Sequence, residues 1–349
     1  MLTILLTPFA WLYGIIVRCR NLFYDLGWKK SYSFDQAVIG VGNLSVGGSG
    51  KTPMIEYLVK LLWGHYSVAV LSRGYGRITH GFLLAEMHDD ATTLGDEPFQ
   101  LYRKFGTQVT VVVCESRVEG IAKLLKAKPD VQVILLDDAF QHRAVRPLLS
   151  ILLTDCSKPL FKDHLLPRGR LREPRAGSKR ADALVVTKCN SITSTIEFEF
   201  SESLQPYAGK KPIFFSGIRY GAPVSILGNR EITKDIILVT GIANSKTIED
   251  YVSSMFRVIS HFRFNDHHHY SADDVAAIQN RISPATTVLT TEKDMVKLIS
   301  PALGKAFQKN LWFYLPIETY FLKSGAEFDE LITEKIITHL AEPPSKILK

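Results

Sequence analysis

Cysteine is scarce in this chain: 349 residues hold four, at positions 19, 114, 156 and 189. None forms a C-x-x-C pair or stands at zinc spacing from a histidine, which removes a disulfide scaffold and a structural zinc centre and leaves reduced thiols. Long apolar runs are missing too. Residues 1–17 carry no charge, but the run is shorter than the roughly 20 residues a spanning helix needs, and Pro8 and Gly14 interrupt it. A signal peptide would put basic residues before the run and a small-residue cleavage site after it; here Arg18 and Arg20 follow and no such site appears. Repeats and low-complexity tracts are absent, and 22% charged residues is close to the globular average, which argues against disorder. The length suits about two domains of roughly 150 residues.

Acidic residues are the minority sign, 35 against 42 basic, for a net charge of +7. The excess is local. Residues 158–180 hold eight basic and two acidic side chains, net +6, and residues 1–30 are net +3, which leaves −2 for the rest. A slightly acidic body with two basic patches does not fit a nucleic-acid binder, so no nucleic acid is expected; it fits an anionic surface or a phosphorylated ligand. The amino terminus has two readings. It is a shallow membrane anchor with Trp11, Tyr13 and Trp28 at headgroup level and Arg18, Arg20, Lys29 and Lys30 on the anionic leaflet, or it is a core helix that opens the chain.

Chemistry enters at Ser45-Val-Gly-Gly-Ser-Gly-Lys-Thr52, between an apolar strand (37–42) and a helical run from 54 to 63. Glycines at 47, 48 and 50 let backbone N–H groups converge on phosphate oxygens, and the following helix adds its positive end. The phosphate contacts are expected over Ser45, Val46, Gly47, Gly48, Ser49, Gly50, Lys51 and Thr52, with Lys51 on the terminal phosphates and Thr52 on Mg²⁺. Ser45 stands where the common pattern has Gly. The run at 131–136 ends in Asp137 and Asp138, carboxylates for the Mg²⁺ shell, with their division of labour open. Thr187-Lys-Cys-Asn190 is similar to the guanine-reading N-K-x-D but ends in an amide, which offers guanine's two donors one acceptor oxygen and favours ATP over GTP.

Beyond this loop, the ordered series Val41-Gly-Asn-Leu-Ser45, Leu71-Ser-Arg-Gly-Tyr-Gly-Arg77, Gly95-Asp-Glu-Pro98, Leu136-Asp-Asp-Ala-Phe-Gln-His142, Leu171-Arg-Glu-Pro174, Phe264-Asn-Asp-His-His268 and Thr290-Thr-Glu-Lys-Asp294 resembles the tetraacyldisaccharide 4'-kinases, the lipid A 4'-kinases of Gram-negative bacteria. The resemblance implies transfer of the γ-phosphate of ATP to the 4'-hydroxyl of an acylated disaccharide 1-phosphate, forming lipid IVA. It places the chain at the cytoplasmic face of the inner membrane, peripheral or monotopic, and leaves oligomeric state open. It implies Asp96 as general base, His267 as its partner, Lys51 in catalysis and Glu97 in the metal shell. Substrate contacts are expected from Arg73, Arg77, Arg117, His142, Arg172 and Glu173. Read by itself, Asp96 equally suits a helix cap. Ala139 stands where the family usually has Gly, in the turn that presents Gln141 and His142. A membrane-targeted ATPase or GTPase switch without lipid kinase activity is the competing reading.

The fold expected is α/β: an amino-terminal membrane-associated helix (1–30), a phosphate-loop kinase domain with a mostly parallel sheet (31–208), and a smaller α/β domain (209–349). If base and phosphate loop lie in one domain and His267 in the other, closure completes the site.

Overall fold

The computed structural model describes residues 5–227, 231–266, 268–300, 303 and 311–342. The apolar opening forms α1 (Thr7–Asp25). Alternating apolar strands and amphipathic helices follow: β1 (Ala37–Asn43), α2 (Lys51–Leu62), β2 (Val68–Ser72), β3 (Leu83–Leu84), α3 (Ala91–Leu94), α4 (Asp96–Phe105), β4 (Thr110–Val113), α5 (Arg117–Ala127), β5 (Val133–Leu136), β6 (Leu149–Asp155), β7 (Ala183–Thr187), α6 (Ser194–Ala208) and β8 (Ile213–Tyr220). Every residue of β1, β2, β5 and β7 is buried, as a parallel sheet covered on both faces requires. The second alternation runs β9 (Val224–Ser225), β10 (Asp235–Thr240), α7 (Lys246–Ser253), β11 (Arg257–Arg263), α8 (Ala272–Gln279), β12 (Thr286–Thr291), α9 (Glu292–Leu298) and β13 (Trp312–Leu315), after which come β14 (Ile317–Lys323) and α10 (Gly325–Ala341).

The strands form two sheets, β14-β8-β7-β6-β1-β5-β2-β4-β3 and β11-β10-β12-β13-β9. The large sheet is parallel except for its edges, where β3 pairs antiparallel with β4 and β14 with β8. This corrects the division expected at 208. Residues 213–220 and 317–323 belong to the large sheet, and the chain leaves for the small sheet and comes back. The reason is apolar burial: Phe328, Ile332 and Ile336 of α10 are fully buried in one core with Ile39, Val41, Leu58 and Val185. Aromatic rings lock this return, with Phe328 5.1 Å from Phe214 and 4.5 Å from Phe321 between centroids.

Helix α1 is not a core helix. Ala10, Gly14 and Val17 face the body, and a Cβ on Gly14 would stand 2.8 Å from Leu165 Cδ1, so glycine permits the close approach. Phe9, Trp11, Leu12, Ile15 and Ile16 are each more than half exposed. Among the described residues, no helix is long and apolar enough to cross a membrane.

Truncating the ring at the centre of the returning helix, Phe328→Ala, is expected to destabilise the large sheet by about 3–5 kcal/mol. Urea unfolding measures it, and a loss below about 1 kcal/mol would mark α10 as peripheral to the core.

Candidate active site

Parallel strands place their carboxyl ends on one edge, and the loops there collect the polar residues. After β1 the chain turns through residues 45–50 into α2, with Gly47 at φ +101° and Gly50 at φ +82°, left-handed values that a side chain would resist. The loop is held from both sides. Val46 donates its N–H to the Arg170 carbonyl at 2.8 Å, and Arg172 donates its own to the Leu44 carbonyl at 2.6 Å. On the other flank the Thr187 hydroxyl donates to the Ser49 carbonyl at 2.8 Å, and the Lys188 ammonium reaches the Gly48 carbonyl and, at 3.0 Å, Asp155. The 187–190 segment thus lies against the phosphate loop.

The end of β5 supplies the carboxylates. Asp138 takes φ +46° and receives a two-pronged guanidinium from Arg172, at 2.9 and 2.7 Å; Lys51 Nζ is 3.7 Å from its Oδ1. Burial alone would raise the Asp138 carboxyl, but the Arg172 hydrogen bonds and the Lys51 charge outweigh it and bring it down to about 2. Asp137 is 1% exposed and moves the other way: burial, then the charges of Glu97 and Asp138, push it up to about 7 against the pull of Lys51 and Arg117. Its Oδ2 accepts from the Ser72 hydroxyl at 3.2 Å, while Oδ1 is buried with no hydrogen-bond partner among the described residues. Ser49 Oγ is orphaned in the same way.

Such orphans are what a phosphate-bound cation would satisfy. Glu97, Asp137 and Asp138 crowd negative charge that Lys51 only partly offsets. No group of three metal-ligating side chains stands at metal geometry among the described residues.

The two candidate carboxylates of Gly95-Asp-Glu-Pro98 open α4. Gly95 caps the helix and Asp96 is its first residue. Gly95 has φ +92°, and a Cβ there would stand 2.8 Å from the Tyr75 carbonyl, so the Leu71–Arg77 and 95–98 motifs meet backbone to backbone. Asp96 Oδ2 lies 3.6 Å from the ammonium of Lys297 on α9. Lys297 was not anticipated; only its place shortly after Thr290-Thr-Glu-Lys-Asp294 could have signalled it. His267 lies outside the described residues. Its neighbours Asp266 and His268 are paired with Lys293 and Asp274, both at 3.0 Å.

The expected substrate contacts separate. Arg73 is exposed, with no ion-pair partner among the described residues, and the Arg73 and Arg117 charges act on His142. Burial, then those charges, lower His142 to about 4, so it is a neutral ring at pH 7. Arg172 is half-buried beside the loop. Arg77, Arg117 and Glu173 are each engaged by partners within the chain. Arg77 pairs with Glu115 at 2.6 Å. Arg117, 2% exposed, donates to the carbonyls of Cys114 and Asp137 at 2.8 and 2.9 Å and so fixes the end of β5. Glu173 accepts from Arg180, Gln141 and Asn21. The turn containing Ala139 closes without glycine, through His142 N–H to the Ala139 carbonyl at 2.8 Å, and Gln141 reaches Asn43 and Glu173.

The family model described as tetraacyldisaccharide-1-P 4'-kinase matches residues 2–337. The chain belongs to this family. It is therefore a kinase, built around a phosphate loop. A tetraacyldisaccharide 4'-kinase of Cytophaga hutchinsonii is 40% identical over 97% of this chain and 97% of its own length. One of Flavobacterium johnsoniae is 42% identical over 96% and 98%. Among solved structures, LpxK from Aquifex aeolicus in complex with ATP superposes with a TM-score of 0.74 at 31% identity, covering 96% of this chain and all of that one.

Behind the site, Lys104 of α4 bridges Glu56 of α2 at 2.6 Å and Glu292 of α9 at 3.0 Å. Burial, then the Glu292 charge, push Glu56 up to about 7, against Lys104. A raised carboxyl favours the fold only while protonated, so this contribution is full below about 4.5 and lost as pH rises through about 7. Glu56→Gln, which cannot ionise, is expected to gain stability relative to the parent chain across that window. Denaturant midpoints at pH 4.5 and pH 8 check it; a difference that does not change with pH removes Glu56 from the linkage.

Proposed function

We propose that the chain transfers the γ-phosphate of ATP to the 4'-hydroxyl of a tetraacylated glucosamine disaccharide 1-phosphate, forming lipid IVA and ADP on the cytoplasmic surface of the inner membrane. The observation that carries this reading is the family match over nearly the whole chain, joined to a phosphate loop whose flanks hold Asp137, Asp138, Lys51 and Arg172 together. A lipid kinase is favoured over a nucleotide switch because the matched motifs extend well beyond the loop.

The amides of residues 47–52 and the amino end of α2 hold the phosphates. Lys51 neutralises charge on the transferred group, and Arg172, fixed on Asp138 and Asn43, adds a second cation beside the loop. Thr52, Asp137 and Glu97 would hold Mg²⁺, which would offset phosphate charge when bound. Asp96 accepts the proton of the attacking 4'-hydroxyl, with His267 as the partner that the family motif assigns. Arg73 and the neutral ring of His142 face the anionic headgroup. Asn190, next to the Lys188 contact with the loop, favours adenine.

The amino-terminal helix brings this site to the lipid. Its apolar side is exposed, whereas its polar side is tied to the site: the Tyr13 hydroxyl donates to the Arg172 carbonyl at 2.7 Å, and Arg20 to that of Gln141 at 2.8 Å. That geometry supports reading α1 as a monotopic anchor.

Incubation with ATP, Mg²⁺ and the monophosphorylated acyl disaccharide is expected to add one phosphate to the disaccharide by mass; ATP hydrolysis without that product would remove the proposal. Asp96→Ala is expected to abolish turnover while ATP still binds, and near-normal turnover would remove Asp96 from the mechanism. Ile15→Glu is expected to release the chain from anionic lipid vesicles in a sedimentation assay, with ATP binding retained. Unchanged sedimentation would mean that α1 is not the anchor.

A further inference from the structure

Lys297 carries a charge into a place where packing alone gives no reason for one. Its side chain is 5% exposed, and its Nζ has no hydrogen-bond partner among the described residues. An ammonium buried in this way is costly unless nearby negative charge offsets it. Two carboxylates face it, Asp294 Oδ1 at 3.5 Å and Asp96 Oδ2 at 3.6 Å. Asp294 is oriented without it, since Oδ2 accepts the Gly241 N–H at 2.8 Å and the Thr291 hydroxyl at 2.7 Å. Those two donors fix Asp294 through Oδ2, while its buried Oδ1, without a hydrogen-bond partner among the described residues, faces the Lys297 charge, which also reaches on to Asp96.

The helix pair around it explains the arrangement. Asp96, Gln100 and Lys104 recur every four residues and so share one face of α4. Along that face α9 runs antiparallel, with Glu292 on Lys104 at one end and Lys297 beside Asp96 at the other. Between the ends, Met295 and Val296 are buried with Ala91, Leu94 and Phe99. Helix α4 packs in the layer of the large sheet, and α9 follows a strand of the small one. The Lys297 charge thus reaches Asp96 across the junction of the two sheets.

We propose that Lys297 is a positioning residue for the phosphoryl-transfer reaction: its ammonium helps hold the Asp96 carboxylate in place, so that docking of α9 on α4 contributes to setting the base. The proposal rests on Asp96 being the base. Ordering a reacting group by a neighbour acts on the chemical step and leaves substrate binding alone.

The test is steady-state kinetics of the full chain with ATP and the acyl disaccharide 1-phosphate, together with thermal midpoints, for Lys297→Met, Lys297→Arg, Asp294→Asn, Asp96→Asn and the double variant Asp294→Asn with Lys297→Met. Lys297→Met is expected to lower kcat about tenfold or more while both KM values stay within about twofold. Its thermal midpoint should fall, because the Asp294 and Asp96 carboxylates lose the cation that faces them, so the split between kcat and KM, with rescue by Lys297→Arg, reports positioning. Lys297→Arg should recover part of kcat, and the tenfold loss should persist in the Asp294→Asn background. Three results overturn the proposal: kcat of Lys297→Met within about twofold of the parent chain, a loss confined to KM for ATP, or a loss that Asp294→Asn restores. Near-normal turnover in Asp96→Asn would instead remove the base assignment. An inactive Asp96→Asn beside a fully active Lys297→Met would remove only the role of Lys297.

Discussion

The two-pronged pair between Arg172 and Asp138 is the contact on which the active edge depends. One guanidinium ties the end of β5 to Asn43 at the end of β1, while its backbone zips the 170–172 segment onto the start of the phosphate loop. Asp138 can accept both prongs because its backbone takes a left-handed turn, a conformation that carries strain in a non-glycine residue. The two neighbouring carboxylates move in opposite directions: Arg172 and Lys51 bring Asp138 down, whereas burial and the charges of Glu97 and Asp138 push Asp137 up.

Much of this is legible in the sequence. The strand, glycine-rich turn and helix around residues 45–52, and the acid pair after an apolar run, are local features, and local pattern carries them. The apolar runs at 183–187, 236–240 and 286–290 also appear as strands close to their expected bounds. Partnership between distant segments was not legible. Residues 213–220 and 317–323 fall within the second domain expected over 209–349, because nothing in a single run of sequence says which sheet it joins; the return of α10 to the large core decides that. The same limit applies at the site. Arginines 77 and 117 look alike in sequence to Arg73, yet Glu115 and two carbonyls take up their charges, while Arg73 stays exposed.

The two sheets meet through helices and share no strand. Their junction is an apolar patch closed at each end by charge, Glu56–Lys104–Glu292 behind the loop and Asp96–Lys297–Asp294 in front. Buried ionic groups add little to stability compared with apolar ones, but they discriminate strongly between aligned and misaligned helices. The arrangement therefore specifies register, and a shift of one turn between α4 and α9 would strand several charges at once.

The docking of α1 has a further consequence for how the reactants meet. Its polar face is fastened to the segments bearing Gln141, Arg172 and Glu173, so the height of the catalytic edge above any surface that receives the apolar face is set by one rigid helix. Were that surface a bilayer, as proposed for α1, a lipid headgroup in it would be found by lateral diffusion in two dimensions, at a fixed depth, with its acyl chains left among the other lipids.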